Sequence, residues 1–178
     1  TSKVYFVVGN RDFLINDNTA KIFNFELISE DYKIINFGSA ATIMHGDTLC
    51  TLDKAYQKFR SFVRNPIIKK IYLSLPLRVR TKLARDIKKR SVSREDYYTQ
   101  PEKYDVVLAA VDDIFQKTQT NIIIHGHTHN PKVHSYDHNG IKQHRYVLGD
   151  WHNNGAYYLE ASNVNNQTIM DLKFFYLI

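Results

Sequence analysis

The sequence predicts an α/β fold in front, a basic helical insertion in the middle and a β-rich tail behind. Three observations carry that reading. Short apolar runs alternate with helix-spaced segments over residues 1–52 and again over 104–125. At Asp53 the hydrophobic period changes to steps of three and four residues, the signature of helices with one apolar face. Beyond Pro131 the chain runs through Val-, Tyr-, Ile- and Phe-rich segments with an Asn139-Gly140 turn, a hairpin signal.

In order, "KVYFVV" at 3–8 reads as a buried strand ending at Gly9. "NDNTAKIFNF" opens on Asn and Asp and has helical spacing. "FELI", "KIINF" and "AATIMHG" read as short strands. In "DKAYQKFRSFVR", Tyr56, Phe59 and Val63 share one helix face. Pro66 interrupts, then Ile67, Ile71 and Leu75 repeat at four-residue steps. After Pro76, Val79, Leu83 and Ile87 do the same. "YDVVLAAVDDIFQKT" reads as one more helix and "NIIIHG" as a buried strand. The tail segments "PKVHSY", "KQHRYVLGD", "GAYYLEA" and "TIMDLKFFYLI" read as antiparallel strands. The expected organisation is a core in two halves, 1–52 and 104–178, around an insertion at 53–103.

Composition is that of a globular protein, 43% hydrophobic and 24% charged, and no apolar run is long enough to cross a bilayer. Cys50 is alone, so no internal disulfide forms and a reducing compartment is expected. The net charge of +6 is uneven. Between Lys54 and Arg94 there are 14 Lys or Arg against one acid, Asp86, leaving 10 basic and 17 acidic residues elsewhere. A basic insertion thus sits on a mildly acidic body. Charge runs are commonly solvated helix faces, and the functional reading is attraction to phosphates or an anionic membrane.

Chemistry concentrates where three strands end. "VYFVVGNRD" delivers Gly9-Asn10-Arg11-Asp12, "ATIMHGD" delivers His45-Gly46-Asp47, and "NIIIHGHTHNP" delivers His125, Gly126, His127 and His129. In an α/β sheet the carboxyl ends of strands are where ligands bind. Gly126 is expected to let the chain turn without a Cβ in the way. Each motif alone reads as a turn. Together, on strands converging at one sheet edge, an Asn amide and three imidazoles form a mixed N/O donor set suited to Mn²⁺, Fe or Zn²⁺.

"GNRD", "HGD" and "GHTH" resemble three of the five sequence blocks of the calcineurin-like metallophosphoesterases. The longer runs "GNRDFLI", "HGDTLCTLDKAYQKFRSFVRNP", "LSLPLRVRTKLA", "HGHTHNPKVH" and "VLGDWH" resemble the UDP-2,3-diacylglucosamine pyrophosphohydrolases of lipid A synthesis over nearly the whole chain. That resemblance implies a β-sandwich flanked by helices, with a helical lid. It implies hydrolysis of UDP-2,3-diacylglucosamine to UMP and 2,3-diacylglucosamine 1-phosphate by two divalent ions, Mn²⁺ by family habit. It also implies a cytoplasmic enzyme peripheral to the inner membrane.

Carried across residue by residue, the resemblance gives one metal to Asn10, His45 and His127 and the other to His129. Two such ions clamp phosphoryl oxygens and generate hydroxide from water at neutral pH. Arg11 follows a ligand directly and is matched to a phosphate oxygen, which a guanidinium engages with two donors. Its structural alternative is an ion pair with Asp12 or Asp47. Asp53, Tyr56, Phe59 and Ser91 are matched to the glucosamine and its acyl chains, with the basic rim against anionic lipid heads. After Ser91 the chain departs from the family pattern, carrying Glu95 and Asp96 in "SVSREDYYTQPEK", and Arg94 or Lys103 is the candidate replacement contact. Lys88 stands where the family favours Arg, which removes a two-pronged contact. His125, His134, His138 and His144 receive no role, and His152 a supporting one.

The superfamily's first two blocks, Asp-x-His and Gly-Asp-x-x-Asp, do not occur before Gly9. The expectation is that an N-terminal section holding them, with its strands, is required. Without it a core sheet has a raw edge, and the chain alone is expected to be unstable or inactive. Two other classes remain at this level. One is a metallophosphoesterase acting on nucleotides or RNA, which the basic segment suits electrostatically but which lacks a run of stacking aromatics, so no nucleic-acid partner is expected. The other is a non-catalytic interaction module.

Overall fold

The computed structural model describes residues 2–28, 30–36, 39–90, 99, 101–165 and 167–177. It mixes helix and sheet, an α/β arrangement. The chain forms two compact units, one of residues 1–49 and 106–178 and one of residues 50–105.

The first unit begins with β1 (Tyr5–Val7), α1 (Asp17–Phe23) and β2 (Glu26–Ile28), with β1 and β2 pairing in parallel as a two-stranded sheet. Asn16 starts α1 by accepting from the Thr19 N–H at 3.1 Å. Asn24 ends it in the left-handed region at φ 53°, a conformation its short polar side chain tolerates. β3 (Tyr32–Asn36) and β4 (Ser39–Met44) then pair antiparallel, and a 3₁₀ turn at Asp47–Leu49 follows.

The expected buried opening strand is corrected here. β1 is three residues long, lies in a sheet separate from β4, and leaves Val4 55% and Tyr5 39% exposed. With β2 as its one pairing partner among the described residues, β1 is an edge strand rather than a core strand.

The second unit contains α2 (Lys54–Arg64), α3 (Pro66–Ser74), α4 (Leu77–Arg90) and α5 (Pro101–Tyr104). Its breaks follow local chemistry. Asp53 caps α2 by accepting from the Tyr56 N–H at 3.0 Å. Asn65 caps α3 by accepting from the Ile67 N–H at 2.9 Å, and Pro66 takes the first helical position, where no N–H is needed.

The first unit resumes with α6 (Leu108–Thr118), β5 (Ile122–His125), β6 (Lys132–His138), β7 (Ile141–Val147), β8 (Trp151–His152), β9 (Gly155–Val164) and β10 (Gln167–Tyr176). The single helix expected over 104–118 is interrupted instead. Val107 is extended at φ −89°, ψ 124° and its N–H donates to the Leu49 carbonyl at 3.0 Å, so the helix starts afresh at Leu108. β4, β5 and β7 run parallel in a five-stranded sheet of order β3-β4-β5-β7-β6, and a second sheet has order β10-β9-β8. β6 and β7 form the hairpin that Asn139-Gly140 signalled, both turn residues having positive φ. The core gathers Met44, Leu49 and Ile123 against Val111 and Phe115 of α6, with Ile114 and Tyr136 packed around them. Burying these side chains stabilises the sheet–helix contact by about 1.5–3 kcal/mol each.

Candidate metal site at the ends of three strands

β4 and β5 are parallel neighbours, so their carboxyl ends emerge side by side, with Met44 opposite His125. The backbones then stay together, as the Gly126 N–H donates to the His45 carbonyl at 3.0 Å. Beyond this point the turn is made by the histidines themselves. His127 and His129 sit at φ 68° and 54°, left-handed conformations that cost a non-glycine residue about 1 kcal/mol or more. Gly126 does not supply the turn as expected. Its φ is not positive, and a Cβ there would meet only the His45 carbonyl oxygen at 3.9 Å, an ordinary contact.

The necessary glycines are elsewhere. A Cβ on Gly9 would lie 2.8 Å from His45 Cε1, so the end of β1 can rest on the His45 ring only without a side chain. Gly46, at φ 104°, would place a Cβ 2.6 Å from His125 Nδ1.

Two of the expected donors come together, and the backbone of the third expected residue lies beside them. His45 Nε2 and His127 Nδ1 face each other at 3.2 Å, with ring centroids 5.0 Å apart and planes at 72°. The Asn10 N–H approaches His45 Nε2 at 3.4 Å, so the third strand end arrives although β1 belongs to a separate sheet. The two nitrogens are at hydrogen-bond distance, and the same separation is open to one bridging divalent ion. Two imidazole nitrogens each ~2.1 Å from one cation and 3.2 Å apart subtend an angle of about 100° at it, between octahedral and tetrahedral. Among the described residues no group of three or more His, Cys, Asp or Glu gathers closely enough to hold an ion, so the set is two imidazoles plus the Asn10 position. Arg11 is exposed beside Asn10. Asp12, one of its expected ion-pair partners, accepts from the Gly9 N–H and so closes the loop that carries Asn10.

Two features of this region escaped the sequence reading. His125 is buried at 1% exposure and Arg145 at 5%. His125 Nδ1 donates to the Gly126 carbonyl at 2.8 Å, and its Nε2 accepts from Arg145 Nη1 at 3.0 Å. Arg145 Nε donates to Tyr136 Oη at 2.9 Å. The neutral ring thus ties β7 to the loop carrying His127. Burial pushes the His125 imidazole down from 6.5 to about 4, against the Gly126 bond, with the Arg145 charge adding to the effect.

This has a consequence for stability. The unfolded chain protonates this ring near 6.5 and the folded chain only near 4, so the contribution is complete above about pH 6.5 and is lost as pH falls toward 4. It amounts to about 3 kcal/mol. Urea midpoints measured at pH 7.5 and 4.5 should fall further for the wild type than for His125→Gln, and equal falls would contradict the assignment.

The second feature is Asp150, which lies 3.3 Å from His129 Nδ1 by Oδ2 and 2.9 Å from His152 Nε2 by Oδ1. His129 is therefore engaged with a carboxylate beyond the strand ends. In sequence Asp150 fell within the strand-like "KQHRYVLGD" and the family-like run "VLGDWH", with no role of its own.

The remaining expected contacts belong to the second unit. Asp53 is buried, and its Oδ1 is occupied in capping α2. Tyr56 is half-buried, Phe59 is exposed, and Lys103 Nζ lies 5.2 Å from the centre of the Tyr104 ring. Ser91 and Arg94 lie outside the described residues. The apolar stripes expected on these helices are present and remain exposed. Ile67 and Ile71 of α3 and Leu77, Val79, Leu83 and Ile87 of α4 are each at least 40% accessible, and so is Phe62 of α2. Charge crowds among them, since burial together with the neighbouring Arg64 charge lowers the Lys69 pKa. Among the described residues no helix is long and apolar enough to cross a membrane.

No family model matches the chain. Curated proteins do. The chain is 41% identical over 152 residues to a UDP-2,3-diacylglucosamine hydrolase of Serratia proteamaculans, covering 85% of this chain and 63% of that protein. It is 39% identical over 159 residues to a protein of the same name from Proteus mirabilis, covering 89% and 66%. With the Yersinia pestis protein, also so named, identity is 40% over 153 residues, covering 85% and 63%. The chain thus spans a little under two thirds of the length of the curated relatives it matches.

Proposed function

We propose that this chain, a homologue of the UDP-2,3-diacylglucosamine hydrolases, forms part of a hydrolase that cleaves the pyrophosphate bond of UDP-2,3-diacylglucosamine, releasing UMP and 2,3-diacylglucosamine 1-phosphate. The observation that carries the reading is the facing pair of His45 Nε2 and His127 Nδ1 at 3.2 Å, with Asn10 beside it.

In this reading Asn10, His45 and His127 hold one divalent cation, Mn²⁺, and His129 takes part in holding a second. Bound cations would offset the pyrophosphate charge and acidify a water molecule. The chain's own residues orient the substrate. Arg11, exposed one residue after Asn10, offers two guanidinium donors to a phosphate oxygen. An N-terminal section bearing Asp-x-His and Gly-Asp-x-x-Asp supplies the remaining ligands and completes a calcineurin-like sandwich.

The helical insertion acts as the lid. Its exposed aliphatic stripes support a role in receiving acyl chains, because apolar surface on this scale costs free energy unless something covers it. Its Lys and Arg side chains hold the enzyme against anionic lipid at the cytoplasmic face of the inner membrane. The mainly aliphatic make-up of the stripes on α3 and α4 favours a lipid substrate over RNA.

Two measurements test this. Mn²⁺ titrated into the chain should broaden the ring resonances of His45 and His127 first and spare His138 and His144 on the β6–β7 hairpin. Equal broadening of all eight histidines would remove the site. In detergent micelles the full-length protein should release UMP from UDP-2,3-diacylglucosamine far faster than from UDP-glucosamine without acyl chains. Equal rates would remove the lipid specificity.

A further inference from the structure

Gly126 is fixed at both ends of its backbone. Its N–H donates to the His45 carbonyl at 3.0 Å, and its carbonyl accepts twice, from the Thr128 N–H at 2.9 Å and from His125 Nδ1 at 2.8 Å. The Thr128 bond closes a three-residue turn with His127 at its centre, and the φ of 68° makes it the rare, strained form of that turn. A strained backbone persists only where its surroundings over-determine it.

Those surroundings lie on the buried face of the sheet. In the β5–β7 register Arg145 stands opposite Ile123 and His125 opposite Val147, and all four are buried. Arg145 Nη1 donates to His125 Nε2 at 3.0 Å, and Arg145 Nε donates to Tyr136 Oη at 2.9 Å. Among the described residues these contacts are neutral acceptors, with no carboxylate. A buried charge so held is a costly way to gain stability, which points to placement as its task.

The guanidinium decides where the imidazole proton sits. Arginine donates and never accepts, so His125 Nε2 keeps its lone pair and the neutral ring carries its proton on Nδ1. That nitrogen is the one on the Gly126 carbonyl. With the proton on Nε2 instead, two lone pairs would face each other there and the turn would lose a bond that holds it.

We propose that Arg145 is a positioning residue that holds His125 as the Nδ1–H tautomer, whose bond to the Gly126 carbonyl fixes the strained turn presenting His127 to His45. The tautomer and the turn are properties of this chain. Only their effect on turnover rests on the proposed function.

The test uses the full-length protein. In the ring ¹⁵N spectrum of its metal-free form at neutral pH, His125 should be Nδ1–H in the wild type and in Arg145→Lys, which still donates to Nε2. In Arg145→Met it should turn to the Nε2–H form that histidine prefers in water, and the Thr128 amide should exchange its hydrogen faster. With Mn²⁺ restored, kcat for UMP release per folded molecule should fall about 10- to 100-fold in Arg145→Met, the usual loss when a group that orients a ligand is removed, with KM little changed and Arg145→Lys close to wild type. A purely structural role would lower the urea midpoint and leave kcat per folded molecule unchanged, and that result overturns the proposal. So does an Nε2–H ring in the wild type, which is readable even if Arg145→Met fails to fold. Either result leaves the His45–His127 pair standing. Absence of UMP release by the wild type removes the proposed function instead, while the tautomer assignment holds.

Discussion

His127→Ala in the full-length protein should cut UMP release by well over a hundredfold. The substitution deletes the nitrogen that faces His45 Nε2 at 3.2 Å, and a single remaining imidazole cannot define the angle between two donors. Loss of carboxylates that merely orient metal ligands already costs 10- to 100-fold, and losing a ligand itself should cost more. A thousandfold loss corresponds to about 4 kcal/mol of transition-state stabilisation. Mn²⁺ affinity should fall in parallel. Folding should be little affected, because His127 is half-buried and Ala pays the same left-handed backbone strain at φ 68°. Near-normal turnover, or a collapse explained entirely by unfolding, would place the chemistry elsewhere.

Gly46→Val should have the largest effect on stability, a loss of about 3 kcal/mol or more, seen as a fall in the urea midpoint and in Tm. Two independent penalties combine. A β-branched residue at φ 104° is strained whatever space surrounds it. Its Cβ would also sit 2.6 Å from His125 Nδ1. That ring cannot step aside, because the Gly126 carbonyl engages one nitrogen and Arg145 the other. Gly9→Ala offers a contrast. Its Cβ would press on the His45 ring, and no φ penalty is present, so it should weaken metal binding more than folding. A Gly46→Val protein as stable as the wild type would mean that the His125 network is loose.

Much of this architecture was legible because local chemistry and tertiary structure agree. Asn16 starts a helix within the Asn/Asp opening, Asp53 caps one where the period changes, Pro66 marks the next break, and Asn139-Gly140 turns a hairpin. The meeting of Asn10, His45 and His127 was legible as a pattern of strand ends. What was not legible depends on which face of a strand points inward. In "KQHRYVLGD" an arginine reads as solvent-facing, yet Arg145 is buried because His125 and Tyr136 offer acceptors for its donors. The contact between Asp150 and His129 could not be found without knowing that the chain after β7 returns to the loop after β5. The placement of β1 in its own two-stranded sheet was equally hidden, because apolarity in a run does not name its pairing partner.

The hydrogen bond from the Val107 N–H to the Leu49 carbonyl bears on how this protein is put together. It brings the two points where the helical unit leaves and re-enters the first unit to within a single backbone bond. A polypeptide detour whose entrance and exit coincide can lengthen, shrink or be swapped for a tight turn while its host keeps the same ends to join. Residues 50–105 can therefore change in length or content without moving the strand ends that bring Asn10, His45 and His127 together.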